Sequence, residues 1–464
     1  MTIPVAHALL IGRQDLPIPE WLFAWAAAVV LIVSFVVLSL LWTRARFETD
    51  GWRPAPAGLS RLLVNPVTET LAGALGVFLL GVVVWSGLAG SQVADTNFSL
   101  TFIFITFWLG TVLVSVLLGD VFRAFNPWRA IGRLYGGALR LVTGERWQPP
   151  LRYPDGLGRW PAVVGVLAFV WLELVYGIGG TSNVGLNPRM VSIAVVAYSA
   201  YTLVAMGLFG LDEWLKRGEA FSVYFGMFSR LAPVEVRAGQ LGFRRPLAAS
   251  TSWAIVPGSV AMVVTAIGVT AFDGAQEGVL KGAIDGVFNG LGDIGLGAVA
   301  AHRLSETLFL GVAVLAIACI YWAGVAGMRT VRGSPALEDL GRAFAHTLIP
   351  IALAYLVAHY FSYFVFGEQA QFTTLLSDPL GNGSDYFGTR GAGIDYQALS
   401  ANAIWYVQVG ALICGHVVGL TLAHDRAIAI YGDAQRASKS QRWMLVVMVA
   451  FTCLGLFLLS QSNA

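Results

Sequence analysis

Two stretches decide how the chain is read: residues 342–366, RAFAHTLIPIALAYLVAHYFSYFVF, and residues 401–426, ANAIWYVQVGALICGHVVGLTLAHDR. Each is long and apolar enough to cross a bilayer, because about 20 helical residues at 1.5 Å rise span a hydrocarbon core of about 30 Å. Together they hold four of the six histidines, His346, His359, His416 and His424, with Asp425 beside the last. Ionisable side chains are costly at such depth, so they mark a functional position before a structural one.

The rest of the chain has the same character. Its 464 residues are 56% hydrophobic and only 12% charged, outside the range of soluble globular domains. Apolar runs predict spans at roughly 21–43, 66–89, 98–119, 160–179, 190–210, 250–271, 305–328, 343–366, 401–424 and 442–460. The expected fold is all-α: a polytopic transmembrane helical bundle of about ten spans, forming a single integral membrane domain over 1–464.

Charge then orients the bundle, because short cytoplasmic loops retain Lys and Arg. If the loops after spans one, three, five, seven and nine are cytoplasmic, they collect 24 of the 29 basic residues. Only Arg13, Arg189, Lys281, Arg303 and Arg390 fall on the other face, and the acids Asp95, Asp273, Glu277, Asp285, Asp293, Glu368, Asp378, Asp385 and Asp395 gather there. Both termini are thus expected outside the cytoplasm. The assignment fits a bacterial inner (cytoplasmic) membrane.

A net charge of +2 gives no reason to expect nucleic acid; the bilayer is the expected partner, with a second membrane subunit as a further candidate. Cys319, Cys414 and Cys453 all lie in predicted spans, where they pack as small hydrophobes. The N-terminus, MTIPVAHALLIGRQDLPIPE, lacks a basic region followed directly by an apolar one and reads as uncleaved.

Loops 120–159 and 211–249 are expected on the cytoplasmic side with interfacial helices. The first sets basic residues among apolar ones around Trp128, which suits a lipid surface, and Phe221, Phe225 and Phe228 in the second share one helical face. Loops 272–305 and 367–400 are expected outside. The former is rich in glycine, which favours turns over regular helix.

Helix rise sorts the histidines by depth. His346 and His359 are roughly 20 Å apart along their span, and His416 and His424 roughly 12 Å apart on the next, antiparallel one. His346 and His424 fall near the cytoplasmic face and His359 towards the outside, with Pro350 positioned to kink the eighth span. Imidazole and carboxylate are suitable ligands for a divalent transition metal, so His346, His359, His416, His424 and Asp425 are candidate ligands, and His359, Asp378 and Asp273 candidate catalytic groups. No HExxH pair is present. Bis-histidine haem fits poorly, since His359 and His416 differ in depth by roughly 12 Å. A transport reading instead draws on Glu173 and Gln408 as intramembrane polar groups, and in a purely structural reading the histidines bond between packed helices.

The segments GRQDLPIPEWLFAWAAAVVLIVSF, TAFDG, LIPIALAYLVAHYFSYFVF, SDPLGNG and WYVQVGALICGHVVGLTLAHDRA resemble bacterial multi-pass proteins named fenitrothion hydrolase, a membrane-bound organophosphate hydrolase type. The resemblance covers most of the chain. It implies cleavage of the aryl ester bond of an organophosphate or organothiophosphate triester, an apolar small-molecule substrate suited to a membrane enzyme. A metal-bound hydroxide would then attack phosphorus. The first expectation is therefore a membrane hydrolase, with a transporter or a non-catalytic subunit of a membrane complex as the alternative.

Overall fold

A computed structural model of the chain describes residues 20–177 and 187–461. The N-terminal segment with Arg13, and residues 178–179 at the end of the fourth predicted span, lie outside the described residues. Within them the protein is a bundle of long helices with very little sheet. This is the multi-pass arrangement that hydrocarbon demands, because a helix satisfies its own backbone N–H and C=O groups.

Helix α1 (Glu20–Leu41) contributes a shorter apolar stretch, Trp25–Leu41. Nine further helices among the described residues are long and apolar enough to cross a membrane: α2 (Pro66–Ala89), α3 (Phe98–Leu118), α4 (Asp155–Tyr176), α5 (Pro188–Phe209), α6 (Ser259–Gln276), α7 (Ala298–Met328), α8 (Ile349–Ala370), α9 (Ala401–Tyr431) and α10 (Ala434–Gln461). Asn–Pro pairs start two of them. The side chains of Asn65 and Asn187 accept from orphan N–H groups of the first turn, while Pro66 and Pro188 occupy a place where a missing N–H costs nothing.

The sixth predicted span, 250–271, is displaced by its own sequence. Pro257 and Gly258 delay the helix to Ser259, with Gly258 at φ +83°, and a Cβ there would come within 2.8 Å of the Trp160 nitrogen. The helix then continues to Gln276. Asp273, expected in an external loop, instead lies in the last turn of a span and is buried. The glycine-rich segment beyond is also more regular than expected, forming a helix at Lys281–Asp293 before α7 begins.

The eighth predicted span is broken where Pro350 requires it. A helix at Leu337–Phe344 is followed by a turn, Ala345–Leu348, which holds His346, and α8 starts with Pro350 in its first turn. Against α8 lies α9, whose Gly415 and Gly419 let the two backbones approach closely. A Cβ on Gly415 would sit 2.2 Å from the Ala354 Cβ and 2.8 Å from the Pro350 oxygen; one on Gly419 would sit 3.0 Å from the Thr347 oxygen. This is close packing through small residues, which membrane helices use in place of a hydrophobic driving force.

On the side reached by the loops after α1 and α5, three short strands form a sheet in the order β1–β3–β2: β1 (Arg53–Pro54), β2 (Val234–Arg237) and β3 (Gln240–Phe243), with β3 antiparallel to both. Ala238 and Gly239, both at positive φ, make the β2–β3 turn. An ion pair between Asp50 and Arg237 closes the same unit. The helical reading of 211–249 did not anticipate this hairpin.

The helix Pro127–Thr143 exposes Leu134, Leu141 and Val142, but Trp128 is buried at its base against Phe122, Tyr198 and Phe221, and donates from Nε1 to Ser199 Oγ at 2.9 Å. Trp128 is therefore a core residue and not a lipid anchor. Phe221, Phe225 and Phe228 are buried as well, in a short helix at Ala220–Phe228 wedged among the spans. Glu219 caps that helix, accepting from the Phe221 and Ser222 N–H groups and from the Tyr198 hydroxyl, while burial pushes its carboxyl above the usual range.

Candidate functional site

Asp273 is positioned by a helix that is apolar and buried almost all round, as a central span must be. Fourteen residues separate it from Ser259, which places it about 21 Å along the helix, in its last turn. At the same level α8 presents His359 and Tyr360. These neighbours in sequence converge on one oxygen: His359 Nε2 lies 2.8 Å from Asp273 Oδ2, and the Tyr360 hydroxyl donates to the same atom at 2.7 Å. Gln276, one turn further along α6, donates from Nε2 to Oδ1 at 2.8 Å. The ring lies beside Gly274, where a Cβ would be at ordinary contact distance, 3.4 Å from His359 Nδ1.

A second carboxyl belongs to the same neighbourhood. Glu173, on α4, is within electrostatic reach of Asp273, and Tyr360 and Tyr363 feel both acids. Glu173 sits in a π-helical stretch, Leu172–Tyr176, where the hydrogen-bond ladder widens; such insertions recur at functional sites. Beside the cluster is a small void of about 20 Å³, bordered by His359, Gly274, Thr270, Tyr355 and Leu412, large enough for about one water. Leu412 leads to His416, whose Nδ1 donates to the Leu412 oxygen at 2.7 Å and whose Nε2 is buried without a hydrogen-bond partner among the described residues.

The remaining candidates are dispersed. His346 is buried in the turn before α8. His424 is held through Nε2 by the Trp42 oxygen at 3.3 Å, with its ring edge against Phe35. Asp425 anchors the chain leaving α1: Oδ1 accepts from Trp42 Nε1 and the Arg46 N–H at 2.8 and 2.6 Å, and Oδ2 from the Phe47 N–H at 3.0 Å. Arg426 completes that corner by pairing with Glu48. His346, His359, His416, His424 and Asp425 consequently do not form one ligand set, and among the described residues no three His, Cys, Asp or Glu side chains are grouped to hold a metal ion.

Of the three candidate catalytic groups, the fold joins His359 to Asp273. Asp378 is used by its own loop, accepting from the Asn382 and Gly383 N–H groups and the Ser384 hydroxyl, with Arg390 at 3.6 Å. Burial alone would raise this carboxyl, but those hydrogen bonds and the guanidinium together hold it below the ordinary aspartate value. Gln408 is buried on α9 with its Oε1 unpartnered among the described residues.

Sequence reading passed over Tyr360, Gln276 and Glu368. Tyr360 was visible only as the residue after His359, and Gln276 only as one turn beyond Asp273. Glu368, counted among the external acids, is in the last turn of α8 and accepts a hydrogen bond from the Thr106 hydroxyl at 3.0 Å. No family model matches the chain, and neither a curated protein nor a solved structure matches it. The likeness to membrane-bound organophosphate hydrolases thus rests on the quoted segments alone.

Proposed function

We propose that this chain is a proton-translocating membrane protein in which Asp273, His359 and Tyr360, with Glu173 nearby, form the proton-binding site. The observation that supports it is the hydrogen-bonded meeting of a carboxyl, an imidazole and a phenol on two packed spans, in the last turn of α6. Groups of this kind inside a membrane form the relays of pumps and transporters. An imidazole can take a proton at one ring nitrogen and release one at the other, so it can pass a proton along a hydrogen-bonded chain. The water-sized void leads from His359 to Leu412 and so towards His416, where Nε2 is an available acceptor. In this reading the chain has ten spans with both termini outside the cytoplasm, as its basic loops favour. Reconstituted into sealed liposomes under an imposed potential, it should carry protons inward, and Glu173→Gln or Asp273→Asn should stop that flux while leaving the folded protein intact.

One observation favours a second reading. An imidazole held by a carboxylate beside a water-sized void is also the arrangement of a general base, which would take a proton from water as it attacks phosphorus in an organophosphate triester such as fenitrothion. The aryl oxygen would leave as the phenol. Release of a coloured nitrophenol by detergent-solubilised protein, lost in His359→Gln, supports this reading; proton flux without such release supports the first.

A further inference from the structure

A large cavity opens between α2, α3, α4 and α5, with Phe221 on the buried short helix closing one wall and the end of α8 another. Its volume is about 870 Å³, in the range of sites for drug-sized ligands. Leu79, Val83, Phe107, Phe169 and Phe364 are representative of a lining that is carbon almost throughout. Among the described residues that line it there is a single carboxyl, Glu368, and no Lys, Arg or His.

Glu368 is held by the structure around it. Thr106 donates to its Oε2 from the π-helical stretch Phe102–Gly110, and Oε1 lies against Gly110 of the same stretch. A second π-helical stretch, Gln371–Leu375, follows one turn after Glu368. Among the described residues no cation pairs with it. A carboxylate with a preset hydrogen bond, in an apolar cavity with aromatic walls, is complementary to a positive charge carried on an apolar body. The carboxylate supplies the counter-charge, and the faces of Phe107, Phe364 and Phe372 supply cation–π attraction.

We infer that this cavity binds a lipophilic organic cation, with Glu368 as its counter-ion. The inference names a substrate class for the proton-linked protein and to that extent rests on that reading. Binding measured without transport is independent of it, so the two can fail separately. Tetraphenylphosphonium is a suitable test ligand, with triphenylphosphine oxide as its neutral, ring-matched counterpart.

Equilibrium binding of both compounds to the purified full-length protein in detergent should show saturable uptake of the cation, preferred over the neutral compound by about tenfold or more. Glu368→Gln should lose that preference while retaining its elution volume, and Leu79→Trp, which fills the cavity, should weaken both compounds. If Glu368→Gln does not fold, the preference of the wild-type protein for the cation decides the matter. Equal binding of the two compounds by wild-type protein, no saturable binding of either, or an unchanged preference in folded Glu368→Gln would each overturn the inference.

Discussion

His359 Nε2 lies 2.8 Å from Asp273 Oδ2 across the interface of α6 and α8, in a part of the chain where a charged side chain has to be matched. The contact does two things at once: it fixes the imidazole ring, and it gives the carboxyl a partner that can take or release a proton. Tyr360 closes the same oxygen from the other side. Removing the ring while keeping the fold therefore separates the two roles. His359→Gln, which retains a hydrogen-bond donor, should leave the unfolding temperature within a few degrees of wild type and lower proton flux by about tenfold or more. Flux and thermal unfolding measured on the same preparation check this.

The close approach of α8 and α9 makes a sharper structural prediction. Gly415→Leu must push Ala354 and the Pro350 carbonyl aside, and overpacking of this kind costs about 1–3 kcal/mol or more. Gly274→Ala should be mild, because its added carbon would meet the His359 ring at ordinary contact distance. Thermal unfolding and elution profile distinguish the two: a Gly415→Leu protein as stable as wild type would contradict the packing described.

Asp425 is expected to act as an anchor. Asp425→Ala removes the acceptor for Trp42, Arg46 and Phe47 and breaks three part-buried hydrogen bonds, which should cost about 3 kcal/mol. Proton flux per folded molecule should remain near wild type. Loss of flux in protein that is still fully folded would instead place Asp425 in the functional site.

The loop around Asp378 should respond to acid. Its carboxyl is held below the ordinary value in the folded protein, so its contribution is fully present above the unfolded aspartate pKa of about 3.9 and is lost as pH falls through the lower, folded value. Protection of the Asn382 and Gly383 amides from hydrogen exchange, relative to their intrinsic rates at each pH, should fall in that acid window and stay constant between pH 5 and 8, a range well above it. Asp378→Asn should show the lowered protection already near neutral pH.

The membrane character of the chain was legible because apolar runs and Lys/Arg asymmetry are local, additive signals. The boundaries that mattered were less so. Pro257 and Gly258 move α6 along the chain, and that shift carries Asp273 from an expected loop into a helix; the governing contact is Gly258 against Trp160, remote in sequence. The histidines could be ordered by depth from helix rise, but their facing could not, so joining His359 to Asp273 and leaving Asp425 to hold Trp42 required the packed bundle. Glu368 was misplaced for the same reason: an acid near a predicted helix end reads as solvated until the helix is seen to continue beside Thr106. The β-hairpin at Val234–Phe243 was missed because its partner strand, Arg53–Pro54, comes from a loop far away in the chain.

The most direct test is proton flux through wild-type protein and Asp273→Asn in sealed liposomes, driven by a potassium diffusion potential and read with a trapped pH-sensitive dye. The lumen should acidify faster with wild-type protein than in protein-free liposomes, and Asp273→Asn should return the rate to the protein-free level. Wild-type protein no faster than empty liposomes, or Asp273→Asn as fast as wild type, would contradict the assignment of Asp273, His359 and Tyr360 as the proton-binding site.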